Sequence, residues 1–321
     1  MKRKWIRRVS WILLTPVLLF VILMILLYIP PVQNLLRREV TAYASKATGM
    51  QIQVERIDLR FPLNLLVRGV EVIQQPDTLL SLESLNVRVQ AWPLVKGKVE
   101  VDEVTLSQVA FNSANLIEGM KIKGVLGRFF LQSHGVDLSN ELAVINQTEL
   151  SDTHVQMLMN DTTTTPKDTT ASAPVNWKVD LHQLKLKNVS FSMQLPVDSM
   201  RMAAHIGEAF INDAQADLKN QFYELKQFLL SGSSANYDTG AAKPGEGFDA
   251  SHIAVRDIRI GLDSLLYKGR DMNAVIREFS MNERSGLSIT SLTGRAFSND
   301  SIIRIPGIKL QTPHSEIDLS A

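Results

Sequence analysis

Cysteine is absent from the 321 residues. That excludes disulfides, thiol nucleophiles and Cys-ligated metals. It also favours a bacterial envelope over a eukaryotic secreted ectodomain, which would often carry disulfides. Charge of one sign is missing too: 34 Lys and Arg stand against 33 Asp and Glu. With no basic stripe and no interleaved aromatics, no nucleic-acid partner is expected. The histidines, His134, His154, His182, His205, His252 and His314, are scattered, with no i,i+4 pair and no H-E-x-x-H. Gly124 and Gly127 in KGVLGRFF lack the form of a phosphate loop, and no G-x-S-x-G occurs. These absences point away from an enzyme, a metal site and a cofactor. Sequons at Asn146, Asn160 and Asn188 read as chance in so Ser/Thr-rich a chain unless the host is eukaryotic.

Only one long hydrophobic run is present. Residues 9–29, VSWILLTPVLLFVILMILLYI, carry no charge, and 15 of the 21 are Leu, Ile, Val or Phe. As a helix the run would extend about 31 Å, the depth of a bilayer core. A cleaved signal peptide would have a shorter core and a small-residue cleavage site. This run ends instead in Tyr28, Ile29, Pro30 and Pro31. It is therefore expected to be an uncleaved signal-anchor. Lys2, Arg3, Lys4, Arg7 and Arg8 outnumber Arg37 and Arg38 beyond it. That bias places residues 1–8 in the cytoplasm and everything past residue 30 across the membrane.

Residues 31–49 show helical spacing, with Val32, Leu35, Leu36, Val40, Tyr43, Ala44 and Ala47 on one face and Gly49 as a stop. Such an amphipathic helix could lie on the membrane, plug the start of the next domain or simply pack. From residue 51 the period changes to two, as in Ile57, Leu59 and Phe61, or Leu85, Val87 and Val89. Strands are expected from there on. Two stretches poor in core formers, 160–174 and 231–247, read as a flexible linker and a loop. They divide the β region into blocks at 51–159, 175–230 and 248–321.

One strand pattern recurs. Apolar residues fall at the same six places in 99–111 and 179–191. They are Val99, Val101, Val104, Leu106, Val109 and Phe111 in the first copy, and Val179, Leu181, Leu184, Leu186, Val189 and Phe191 in the second. A weaker third copy begins at Ile253, Val255, Ile258 and Ile260 and loses register at Asp263. Each apolar pair is followed by two polar residues. Strict alternation would throw successive pairs onto opposite faces. One extra residue at each step, as a bulge or bend, keeps them together. The pattern predicts bent strands, apolar on one face only, repeated into a long sheet.

These residues carry a resemblance. The basic N-terminus, one membrane run, a helix ending in Thr48-Gly49, and the I-x-V-x-x-I-x-L of Ile52 to Leu59 resemble the start of the AsmA/TamB family. So does V-x-x-V-x-L-x-x-V-x-F at Val101 to Phe111. The motifs around Ser251-His252-Ile253, Tyr267-Lys268-Gly269, Glu283 to Leu287 and Thr312 to Ile317 resemble its Bacteroidetes TamB-like members. The resemblance implies an inner-membrane anchor and a periplasmic, elongated, open β-taco with an apolar concave face. That face would conduct phospholipids toward the outer membrane. It also implies a link to outer-membrane protein assembly through a barrel partner. Such proteins are several times longer, so this chain is expected to be an N-terminal fragment or short form, without the regions that would meet a barrel. The twelve repeat residues named above are the expected lipid-groove lining. The alternative is a scaffold that engages envelope proteins through exposed strand edges.

Overall fold

The computed structural model describes residues 29–60, 63–90, 100–137, 140–159, 176–240 and 243–319. Apart from Ile29, the membrane run lies outside these residues, as do the basic tail, the expected linker and Val99. Among the described residues no helix is long and apolar enough to cross a membrane.

The expected helix is present as α1, Pro30–Thr48. Pro30 and Pro31 start it, where missing N–H groups cost nothing. Gly49, at φ 70°, ends it. Sixteen strands follow in a single open sheet, arranged almost in chain order. The first four are β1 (Gln51–Arg60), β2 (Asn64–Gln74), β3 (Asp77–Val89) and β4 (Val101–Asn112). Then come the long strands β5 (Met120–Asp137), β6 (Leu142–Met159), β7 (Lys178–Leu195), β8 (Met200–Asp217), β9 (Phe222–Asp238) and β10 (His252–Lys268). β11 (Asp271–Glu283) and β13 (Ser291–Ser298) continue the path. The sheet then dwindles to short pieces: β12 (Ser288–Ile289), β14 (Ile303–Arg304), β15 (Ile308–Gln311) and β16 (Glu316–Leu319). All neighbours are antiparallel except β6 and β7, which run parallel.

Among the described residues no second layer covers this sheet, and no side chain is below 2% exposed. The strands of the three expected blocks share one sheet. Hydrogen bonding runs without a break from β6 to β7 and from β9 to β10. The expected loop at 231–247 is corrected by the same pairing. Its first half, SGSSANYD, completes β9. Apolar content misleads there because the Ser and Gly residues serve the backbone. The Ser233 hydroxyl donates to the Ser231 carbonyl at 3.1 Å and accepts from the Gly207 amide at 3.3 Å.

Each long strand bends at a fixed level. Between β1 and β2, Val54 pairs with Val70 and Arg56 with Arg68, so Glu55 and Gly69 face each other unpaired. The same gap recurs at Glu83, Gln108, Gly127, Asp152, Asn188 and Gly207 on successive strands. Gly232 and Asp257 extend it through β9 and β10. Gly69, Gln108, Asp152, Asn188, Gly232 and Asp257 all have φ between 50° and 59°. Passing one residue through the left-handed region breaks the alternation of the pleat. The sheet is thus creased along one line through ten strands.

The crease brings backbones close. A Cβ on Gly207 would lie 2.5 Å from the Gly232 carbonyl oxygen, and one on Gly127 would lie 2.7 Å from the Asp152 Cβ. The Thr153 hydroxyl, like that of Ser233, folds back onto the carbonyl two residues before it, at 3.2 Å.

A second crease crosses the long strands about six residues from the first. β4 bulges between Val101 and Glu103 against β3, and β5 is irregular around Ser133. His182 faces Asp213 without pairing, and Asp213 likewise faces Lys226. Asp213 has φ 49°. On β10 the register shifts at Asp263, where the weak third repeat fails. Side chains bridge this line: Asn146 to His134 at 2.9 Å, His182 to Asp213 at 3.1 Å, and Arg277 to Asp263 at 3.3 Å. The His182 hydrogen bond, then Lys226, holds the Asp213 carboxyl below its ordinary range.

The turn from β9 to β10 is held by Asp249. Its carboxylate accepts from the Gly245 amide at 3.1 Å, the Ser251 amide at 2.9 Å and His252 Nδ1 at 2.9 Å. These bonds lower its pKa to about 2 from 3.8. A depressed carboxylate stabilises the fold above its unfolded pKa and ceases to do so as pH falls through the folded value. Asp249→Asn should therefore melt lower than the parent at pH 6, and the gap should close as pH is taken down toward 2. A gap independent of pH would show that the carboxylate charge is not what holds the turn.

Candidate apolar groove

The two creases explain the repeat. Val101, Val104 and Leu106 stand opposite Val89, Val87 and Leu85, which share one face of β3 by simple alternation. The bulge after Val101 therefore keeps Val101 and Val104 on one side, as the sequence spacing requires. Beyond Gln108, Val109 is buried while Ala110 is exposed, so the apolar side continues across the first crease.

The structure also places the two repeat copies level with one another. Partners run Val104, Leu131, Thr148, Leu184 across β4 to β7. The next level is Leu106, Phe129, Leu150, Leu186. Then come Val109, Leu126, Thr153, Val189 and, last, Phe111, Gly124, Val155, Phe191. Val101 meets this scheme through Ser133, whose hydroxyl donates to its carbonyl and which pairs with Ile145, itself paired with Leu181. Val179 stands beside Ala143 and Ala216. The parallel step from β6 to β7 makes this possible. It gives β4 and β7 the same direction, so both copies read along the sheet in the same order.

The levels continue in both directions. Leu106 leads back through Leu85 and Val67 to Ile57, and Leu186 leads on through Ala209 and Leu230 to Ile260. Leu184 leads on through Ile211 and Phe228 to Leu262. No residue at these four levels is charged from β1 to β10. Ten strands at about 4.8 Å give a strip roughly 43 Å long. Sequence reading found only the two copies because the intervening strands fill the same slots with small or polar residues. Gly124, Thr148, Thr153, Ala204 and Ala209 hide the pattern. Gly124 has a local reason: a Cβ there would lie 2.7 Å from the Phe111 ring.

Val109 on the apolar face is 9% exposed, whereas Val125 on the opposite face is 47% exposed. Ile57, Leu82 and Ala209, all beside the first crease on the apolar side, are buried as well. Phe191, toward the edge of the strip, is 37% exposed, so the strip is open there. The opposite face carries the charge. Arg56, Arg68, Arg128, Lys187 and Glu208 line up beside the crease. Arg88 pairs with Glu103, and Arg56 with Asp58 at 2.7 Å, on the same face.

Little else among the described residues offers chemistry. Among the described residues no three His, Asp or Glu side chains gather as a metal site would require. The buried His252 is engaged with Asp249, and His205 with Ser190 at 2.9 Å. Buried Glu283 accepts from the Ser285 and Ala254 amides, and hydrogen bonding from the Ser285 hydroxyl, then from the Ser285 amide, lowers its pKa. These are backbone-bracing roles. Compared with known protein families and with curated proteins, the chain matches none.

Proposed function

We propose that the apolar face conducts lipid acyl chains, and that the chain is an AsmA/TamB-like periplasmic lipid conduit anchored in the inner membrane. The observation that carries this reading is the uncharged, open strip through ten strands. An apolar patch of that extent, left uncovered, marks a binding surface. Its cargo must be long, apolar and tolerant of position, because the four levels carry no charge and the Thr148 and Thr153 hydroxyls on them donate to backbone carbonyls. Acyl chains fit, with headgroups left in water at the rims. Each methylene taken from water contributes about 0.8 kcal/mol, so partial burial of one tail retains a lipid without a specific headgroup contact. Movement along the strip then exchanges one set of equivalent contacts for the next. The sequence features of residues 1–29 support the anchor and the periplasmic side.

Mass spectrometry of lipids released from the purified chain tests this. Phospholipids of several headgroup classes are the expected result, in the proportions of the membrane. A preparation free of lipid in mild detergent, yet retaining specific envelope proteins, would replace the conduit with the scaffold reading.

A further inference from the structure

Beyond the strip the apolar face changes composition on β5 to β8. Along the four levels the large apolar residues are Leu, Val, Ile and Phe, with no Met. Two residues past Phe191, on the same face by alternation, stands Met193. Its partners are Met157 on β6 and Met202 on β8. One level further, Met159 pairs with Met120 of β5, and Met200 with Leu195 of β7. Met120, Met157, Met159, Met193, Met200 and Met202, out of 11 methionines in the chain, thus share one corner of the sheet. Met202 is 38% exposed and the others are half-buried, so water reaches this corner.

Apolar surface alone does not call for thioethers, since the strip is built without them. What Met adds is a soft sulfur on a flexible arm. Met157 and Met159 lie on one face about 6.6 Å apart, and Met193 stands beside Met157 at about 4.8 Å. Cβ atoms so spaced form a right-angled triangle whose centre is about 4 Å from each corner. Three rotatable bonds per side chain let each sulfur approach that centre to a metal–sulfur distance of about 2.3 Å. Met193, Met202 and Met200 repeat the triangle on the other side of β7. No carboxylate, imidazole or amine stands at these two levels on β5 to β8. Neutral thioethers select Cu(I), and its analogue Ag(I), whereas Zn(II) and Ca(II) need nitrogen, thiolate or oxygen ligands. A monovalent ion also leaves only one charge on the apolar face. We propose that this corner is a soft-metal site in which Met193 and a flanking Met pair bind one Cu(I) ion from the surrounding water. It lies past the last level of the strip and does not depend on lipid entering it.

The absence of cysteine makes the test direct, because no thiol competes for the ion. The full chain, in mild detergent and labelled with 13C at its methionine methyl groups, is titrated with Ag(I). The signals of Met193 and its neighbours should move and saturate at one ion per chain, while those of Met50, Met272 and Met281 stay in place. Under anaerobic conditions the same protein should withdraw Cu(I) from its coloured bicinchoninate complex, and excess Zn(II) should not displace it. Met193→Leu conserves volume, so the strands should remain, as circular dichroism would verify. That variant should lose the competition with bicinchoninate, and Met272→Leu should match the parent. Retention of Cu(I) by folded Met193→Leu at the parent's affinity would overturn the site. So would methyl shifts spread evenly over all the methionines, or no shift at all.

Discussion

Leu184→Asp and Leu106→Asp should each reduce lipid crosslinking in the strip about thirtyfold. Both residues sit on the apolar face at levels shared by β4 and β7. A carboxylate placed against acyl chains costs about 2–3 kcal/mol even when it can tilt toward water, and 2 kcal/mol is roughly thirtyfold in occupancy. Because the strip is a single track, one charge should interrupt it rather than merely thin its contents. Photocrosslinking from Phe191 provides the readout, with circular dichroism to confirm that the strands remain. Lys187→Asp is the matched control, one residue from the strip but on the opposite face. Parent-level crosslinking in both folded strip variants would end the conduit reading. An equal loss in Lys187→Asp would show that surface charge, not the strip, governs lipid access.

Gly207→Val should be among the most damaging single changes in the protein. Its Cβ would come within 2.5 Å of the Gly232 carbonyl oxygen and 2.9 Å of that of Ser231. Backbone, unlike a side-chain tip, cannot swing aside. Relief means opening the crease between β8 and β9, at about 3 kcal/mol or more. For a chain of this size that lowers the melting temperature by roughly 6–12 °C. Ala110→Val, an exposed position on the face of β4 opposite the strip, should change stability by no more than about 0.5 kcal/mol. Differential scanning calorimetry distinguishes them. If Gly207→Val melted with Ala110→Val, the two backbones would not approach as closely as the crease requires.

The repeat at 99–111 and 179–191 was legible because large apolar residues occupy every slot in both copies. It led to the bent strand, the one-sided face and the need for an extra residue at each step. What the sequence hid was the generality of the pattern. Where Phe111 overhangs its neighbour, only Gly124 fits, and a glycine does not register as hydrophobic. Thr153 spends its hydroxyl on a crease carbonyl, so a polar residue stands on the apolar face. The stretch 231–238 looked like a loop for the same reason: its Ser and Gly residues serve the crease rather than a core. The direction of α1 was not legible at all. Helical spacing reveals an apolar face but not which side meets the sheet, and here hydrogen bonds to a bare strand edge decided it.

Because the sheet is one layer in nearly chain order, each long strand is supported mainly by the strand before and the strand after it. Stability in such an array is a sum of nearest-neighbour terms rather than the property of one core. Loss of order should then spread from strand to strand like a zipper. At the β1 edge Arg37 of α1 donates to the Val54 and Glu55 carbonyls, so the helix clasps the outermost strand and the strands beside it resist that spreading.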